Sequence, residues 1–100
     1  RLLSSEVIGE DLREYAQEGY TVSTYKTTRG IFNYHAGMRM KELAPGEVGI
    51  QLRQPMNLVV MKKGEFQRLQ REGQVPADAQ ALSEYLVAGI KYVVVGQEVG

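Results

Sequence analysis

Apolar residues recur at helical spacing near the start of the chain. Ile8, Leu12 and Tyr15 lie four and seven residues apart, which is the spacing of one face of an α-helix. Gly19 follows them at the position where a left-handed cap often ends a helix. The pattern therefore predicts a helix over residues 6–18.

Alternating and contiguous apolar runs further along predict three strands. Residues 20–26 alternate and are rich in Thr, Val and Tyr, so they predict a first strand. Residues 38–43 alternate again and predict a second strand at the outside of the sheet. Residues 57–62 are apolar on both sides, which is typical of a central strand covered on both faces.

The last third of the chain predicts a helix followed by a hairpin. Residues 65–72 place Phe66 and Leu69 on one face and charged residues on the other. Residues 81–87 and 90–95 are two β-rich runs joined by a two-residue turn. Because so short a turn joins only antiparallel neighbours, the final strand is expected to be antiparallel.

Two segments leave their structure open. Residues 30–37 carry apolar side chains three and four apart, which suits a short helical turn. Residues 45–53 suit a short helix because Pro45 favours a first helical turn, yet Val48, Ile50 and Leu52 are spaced as in a strand.

The order of elements predicts one three-layer α/β domain over residues 1–100. It is expected to contain a mixed, mostly parallel five-stranded sheet with a C-terminal antiparallel hairpin.

Composition narrows the classes of function. The 100 residues include twelve basic and twelve acidic ones, so the overall charge gives no sign of a nucleic-acid partner. With no cysteine, disulfides and thiolate metal sites are excluded. The longest clearly apolar runs are four residues, far short of the roughly 20 that a membrane helix needs. Any membrane-spanning part is therefore expected outside this chain.

No sequence motif predicts a cofactor, a metal ion or a catalytic nucleophile. The glycines at 30 and 37 are too far apart for a dinucleotide turn, and Lys63-Gly64 lacks the rest of a phosphate loop. The acidic residues of the first helix are better explained as a solvated face than as metal ligands. His35 is the only histidine, and a packed or hydrogen-bonded role is favoured over catalysis.

The predicted end of the first strand holds the candidate binding residues. Tyr25, Tyr34 and Arg39 fall at that end or just beyond it, together with His35. Ligands of open α/β sheets usually bind at the carboxyl ends of strands, so these four residues are the candidates to contact a ligand or partner.

Basic residues also surround the predicted helix 65–72. Lys62, Lys63, Arg68 and Arg71 would offer a face to lipid headgroups. Because acidic residues are interspersed among them, an ordinary solvent-exposed face is the favoured interpretation.

Three stretches together resemble one family. They are VSTYKTTRGIFNYHAGMRM (22–40), QPMNLVVMKKGEFQRL (54–69) and EYLVAGIKYVVVG (84–96). In this order they resemble the soluble C-terminal domain of GT-C superfamily membrane glycosyltransferases, in the protein-mannosyltransferase and aminoarabinose-transferase branch. The first departs from the family at Gly30-Ile31, where Leu-Pro is common.

The resemblance implies that the chain is excised from a larger membrane protein, which fits its beginning at Arg1 rather than Met. The parent would transfer a sugar from a polyprenyl-phosphate donor, with its catalytic acid in the membrane part. This domain would then be non-catalytic, without a cofactor, on the periplasmic face of a bacterial inner membrane. Its partners would be the transmembrane part of the same polypeptide and a nearby lipid-linked sugar or acceptor. Tyr25, Tyr34, His35 and Arg39 would face that core or acceptor.

Two other classes of function stay open. A stand-alone α/β module that binds a small ligand would show tight binding and, as an enzyme, turnover by the chain alone. A protein-interaction domain would show a stable complex with a soluble partner.

Overall fold

The computed structural model describes residues 5–27, 32 and 36–97 of the chain. Three helices and five strands are formed within these residues. In chain order they are α1 (Ser5–Gln17), β1 (Thr21–Thr24), β2 (Lys41–Glu42), α2 (Val48–Leu52), β3 (Asn57–Lys62), α3 (Lys63–Arg71), β4 (Ala79–Val87) and β5 (Ile90–Gln97).

The five strands form one mixed sheet in the order β2-β1-β3-β5-β4. β1 pairs in parallel with both β2 and β3, and β5 pairs antiparallel with both β3 and β4. Four strands therefore run in one direction and only β5 runs in the other. The predicted mixed, mostly parallel sheet with an antiparallel hairpin is confirmed, and the predicted outer strand, β2, lies at one edge.

Two cores lie on opposite faces of the sheet because side chains alternate along each strand. Leu58 and Val60 of β3 pack in one core with Ile8 and Leu12 of α1. The intervening Val59 and Met61 pack in the other core, which takes its helical side chains from α2 and α3: Val48, Leu52, Phe66 and Leu69. The predicted three layers, helix on sheet on helix, are confirmed. β3 is buried on both faces because it lies at the centre of the sheet.

α1 and the turn after it follow the sequence prediction closely. The helix ends at Gln17, and Gly19 has a φ of 101°, the left-handed region that glycine adopts without a steric penalty. The rings of Tyr15 and Tyr20 then meet edge to face across the turn, with centroids 5.5 Å apart. This contact fixes the direction in which the chain enters β1.

β1 and β2 are shorter than the sequence predicted. β1 stops at Thr24, although the Tyr25 N–H still donates to the Val60 carbonyl at 2.9 Å. Lys26 then takes a φ of 51°, which turns the chain out of the extended conformation. β2 contains only two residues, the minimum that continues the ladder beyond β1.

The open segment at 45–53 contains a short helix. α2 buries Val48 and Leu52, four residues apart, whereas Ile50 between them is 63% exposed. The other open segment, 30–37, lies mostly outside the described residues; of its members, Phe32 and Ala36 are buried in the core beneath α1.

The hairpin turn and the outer strand after it have distinct backbone features. Ala88 and Gly89 have φ values of 51° and 78°, and two successive left-handed residues suit the two-residue turn whose twist matches a hairpin. In β4 the register shifts between Ala81 and Ser83, which is a β-bulge.

Within the described part of the chain, no helix combines the length and the apolar character that crossing a bilayer requires.

Candidate functional site

Three parallel strands end at the same edge of the sheet, and α3 begins there. Tyr25 follows β1, Glu42 ends β2 and Lys62 ends β3. The hairpin turn reaches the same edge, because Lys62 pairs with Tyr92 near the start of β5. Polar residues from four separate stretches of the chain are thereby brought together at the carboxyl ends of the strands.

Tyr25 is buried at this edge. Its side chain is 1% exposed and packs in the core beneath α2 and α3. Its hydroxyl accepts a hydrogen bond from Arg68 Nη2 at 3.3 Å, and Lys26 Nζ lies 5.6 Å from the centre of its ring. The buried Tyr25 is therefore linked to the protein surface by the hydrogen bond between its hydroxyl and Arg68.

Arg68 is the centre of an ion-pair network on α3. It donates to Glu65 Oε1 from Nη2 at 2.7 Å and from Nε at 3.1 Å, and to Glu72 Oε1 from Nη1 at 2.9 Å. The hydrogen bond from Arg68 lowers the pKa of the Glu65 carboxyl, and the same bond raises the pKa of Arg68. Both groups are held in their charged forms, so Arg68 is a fixed cation beside Tyr25.

Glu42 is the last residue of β2 and lies at the same edge of the sheet. Its Oε1 accepts hydrogen bonds from Thr24 Oγ1 at 3.4 Å, from the Thr27 N–H at 3.3 Å and from Thr27 Oγ1 at 3.4 Å. One carboxylate oxygen thus satisfies three donors of the chain that leaves β1 and positions the first residues after the strand.

Four lysines gather along the edge, and we call them the lysine edge: Lys26, Lys62, Lys63 and Lys91. Lys63 Nζ lies 3.1 Å and Lys91 Nζ lies 4.0 Å from the carboxylate of Glu84 on β4. Lys26 Nζ lies 3.8 Å from Glu65. Glu84 and Glu65 are the carboxylates within 4.0 Å of these lysines among the described residues, and Glu65 also pairs with Arg68.

A cleft of about 560 Å³ opens between the start of α3 and the hairpin. Three members of the lysine edge line it together with Gly64, Glu65, Gln67 and Ile90. Ile90, at the end of the hairpin turn, is 40% exposed. The cleft therefore combines cationic walls with an apolar tip, an arrangement suited to binding an anionic group attached to an apolar one.

The structure describes two of the four predicted site residues, Tyr25 and Arg39, and does not bring these two together. Tyr34 and His35 lie outside the described residues. Arg39 is exposed and precedes the amino end of β2, whereas Tyr25 follows the carboxyl end of the parallel strand β1. These two residues therefore lie at opposite ends of the strand pair. Whether any of the four faces a partner stays a prediction.

A second polar network, on the α1 face, was not predicted from the sequence. Tyr85 of β4 donates a short hydrogen bond to Asp11, and the Tyr15 hydroxyl lies 3.2 Å from Ser83 Oγ. Burial, and then the bond to Asp11, raises the pKa of Tyr85. The network joins α1 to the edge strand β4, and its partners Asp11 and Tyr85 are 74 residues apart in the sequence. A local sequence pattern cannot predict a contact over that separation.

The chain has no match among protein-family models, curated proteins or solved structures. The described residues also contain no group of three or more His, Asp or Glu side chains placed to hold a metal ion.

Proposed function

We propose that the chain is the non-catalytic extracytoplasmic domain of a membrane glycosyltransferase that uses a polyprenyl-phosphate sugar. In this proposal it belongs to the GT-C type, on the periplasmic side of a bacterial inner membrane, and it covers or supports the transferase core. Its partners are the transmembrane part of the same polypeptide and a nearby lipid-linked sugar or acceptor. No nucleic-acid partner and no cofactor are proposed.

One structural observation supports the proposal. The three stretches that resemble the family contain neighbouring parts of one sheet: most of β1, then β3 with most of α3, and then the β4–β5 hairpin. Four basic residues that carry the resemblance, Lys26, Lys62, Lys63 and Lys91, meet at one edge, whereas Arg39 lies at the other end of the β1–β2 pair. Features far apart in sequence thus converge on one surface, as expected if that surface has a common role.

The predicted facing residues have different roles in this proposal. Arg39 is exposed and is available to contact the membrane part or an acceptor directly. Tyr25 is buried and acts by holding Arg68 at the surface. Tyr34 and His35 belong to the stretch between β1 and β2 and stay in the proposal as residues facing the core or acceptor.

The decisive experiment uses the full-length parent protein. The native gene should encode several apolar segments long enough to span a bilayer upstream of this chain. In membranes containing the parent, Arg39→Ala combined with His35→Ala and Tyr34→Phe should lower sugar transfer from a polyprenyl-phosphate donor. Arg53→Ala, at the exposed end of α2, is the matched control and should leave transfer unchanged.

Two results would contradict the proposal. A gene without membrane-spanning segments would remove the transferase core that this domain is meant to support. Turnover of a small metabolite by the purified 100-residue chain would place the chemistry here instead.

A second candidate function is a stand-alone domain that binds a small ligand, and the cleft of about 560 Å³ favours it. It predicts saturable binding of a small anionic molecule in the cleft, measurable by calorimetry and abolished by Lys63→Glu. The primary proposal instead expects lipid or the parent's own membrane part at this edge.

A further inference from the structure

The lysine edge and the hairpin tip together form one continuous surface. Lys62 and Lys63 come from the junction of β3 and α3, and Lys91 is the second residue of β5. The sequence showed a basic group near this helix, for which an ordinary exposed face was the favoured interpretation. The structure changes that interpretation, because Lys91 and Lys26 join the group from elsewhere in the chain.

The hairpin tip next to these lysines carries no charge. Val87, Ala88, Gly89 and Ile90 follow one another there, and Ala88, Gly89 and Ile90 are all exposed. Ile90 is one of the few large apolar side chains at the surface of the described chain. An apolar tip flanked by lysines matches the layered chemistry of a bilayer surface, where anionic headgroups lie above hydrocarbon.

The carboxylates at this edge do not cancel its charge. Glu84 lies between Lys63 and Lys91, and it is the only carboxylate within 4.0 Å of either lysine among the described residues. Within the same part of the chain, Lys62 has no ion-pair partner at that distance. Glu65 also lines the cleft, so two carboxylates face its three lysines and one positive charge remains for an external anion.

We propose that this edge docks the chain on an anionic phospholipid surface. Lys62, Lys63 and Lys91 contact lipid phosphates, and Ile90 enters the region just below the headgroups. The inference depends on the proposed function for the presence of a bilayer beside the domain. It adds which edge of the domain faces that bilayer.

The test measures binding of the 100-residue chain to lipid vesicles by co-sedimentation. Vesicles with roughly 30% phosphatidylglycerol should bind the chain, and vesicles of phosphatidylcholine alone should not. Binding should weaken as salt rises from about 0.05 M to about 0.3 M, because the Debye length shortens across that range. Equal binding to neutral vesicles would overturn the proposal.

Charge variants localise the effect to this edge. Each lysine near an anionic surface is worth about a fivefold change in affinity, so Lys62→Gln, Lys63→Gln and Lys91→Gln together should weaken binding roughly a hundredfold. The matched control carries Arg13→Gln, Arg53→Gln and Arg71→Gln, the same loss of charge on other exposed surfaces. An equal loss in this control would mean that only net charge matters and would overturn the proposal.

Two single variants separate the electrostatic and apolar parts. Glu84→Gln removes the carboxylate between Lys63 and Lys91, so it should tighten binding about fivefold, a gain that misfolding does not produce. Ile90→Ser should weaken binding without changing its dependence on salt. Unchanged affinity in both variants, with native circular dichroism, would overturn the proposal.

The experiments distinguish failure of the docking surface from failure of the proposed function. Vesicle binding by the chain alone does not depend on sugar transfer, and the gene upstream of the chain does not depend on the lysine edge. A parent with membrane segments whose domain ignores anionic vesicles would reject only the docking surface. A vesicle-binding chain encoded without membrane segments would reject only the transferase proposal.

Discussion

The guanidinium group of Arg68 donates a hydrogen bond to the Tyr25 hydroxyl at 3.3 Å and so joins α3 to the end of β1. The two residues are 43 positions apart in the sequence. Arg68 is held in place by Glu65 and Glu72, so the phenol oxygen of a buried ring meets a cation that has few other positions to occupy. The bond fixes both the ring and the first turns of α3 at the carboxyl edge of the sheet.

Tyr25→Phe removes this bond and keeps the packed ring. We expect the free energy of unfolding to fall by about 1 kcal/mol, the usual net worth of one hydrogen bond. Tyr20→Phe is the matched control, because Tyr20 is partly buried and its hydroxyl makes no hydrogen bond within the described chain. Denaturant unfolding of Tyr25→Phe, Arg68→Met and the double variant gives the coupling energy between the two side chains. A coupling energy below about 0.3 kcal/mol would contradict a stabilising hydrogen bond between them.

Two helical glycines should respond oppositely to alanine. At Gly49 of α2 a Cβ would collide with the backbone carbonyl oxygen of Gln74 and lie 2.9 Å from Arg53 Nη1. We expect Gly49→Ala to destabilise the chain by about 1 to 3 kcal/mol, although alanine favours helices.

Gly64 of α3 is the matched control. A Cβ there meets no atom within 4 Å, so Gly64→Ala should stabilise the chain by up to about 1 kcal/mol. Thermal unfolding of the two variants gives the comparison. A more stable Gly49→Ala variant would show that the contact with Gln74 relaxes at little cost.

Tyr85 should make the stability of the chain fall at alkaline pH. Its folded pKa is raised above the unfolded value of about 10, because burial and the bond to Asp11 favour the neutral phenol. Its contribution is therefore complete below about pH 10 and is lost as the pH rises from there towards the folded pKa. Tyr85→Phe should show a shallower fall between about pH 9 and 11 when denaturant midpoints are compared. Parallel curves for the two proteins would mean that the phenol ionises equally easily in both states.

Ala88→Asn should strengthen the hairpin. Ala88 has a φ of 51°, and asparagine accepts this left-handed region with less steric cost than alanine. Asn-Gly is also the preferred pair for the two-residue turn found here. We expect a gain of about 0.5 to 1 kcal/mol in the free energy of unfolding. Ala77→Asn, in an exposed loop, is the control and should leave stability unchanged; a loss at position 88 would contradict the turn assignment.

Most of the architecture could be predicted from the sequence, because the burial of a helix or strand shows in its local pattern of apolar residues. β3 was predictable as the central strand, since a strand buried on both faces is apolar without alternation. α2 was harder, because Val48, Ile50 and Leu52 have strand spacing and only the structure shows Ile50 on the solvent side. The end of β1 depends on the positive φ of Lys26, and nothing about a lysine side chain predicts that conformation.

The candidate site was less predictable than the fold. Its contacts join residues distant in sequence, such as Tyr25 with Arg68 and Lys63 with Glu84. Which lysines share an edge depends on strand order, and the order β2-β1-β3-β5-β4 is decided by packing across the whole chain. The clustering of Lys91 with Lys62 and Lys63 follows from the antiparallel placement of β5 beside β3.

The irregularity in β4 has a consequence for how the protein behaves at high concentration. β4 is the longest of the described strands and, within the described residues, pairs on one side only, so its outer backbone groups are open to strands of other molecules. The displaced register between Ala81 and Ser83 interrupts the regular row of donors and acceptors that an incoming strand would need. Glu84, a few residues on, adds a charge that repels a second copy aligned alongside. The same nine residues that complete the sheet therefore also discourage its growth into fibrils.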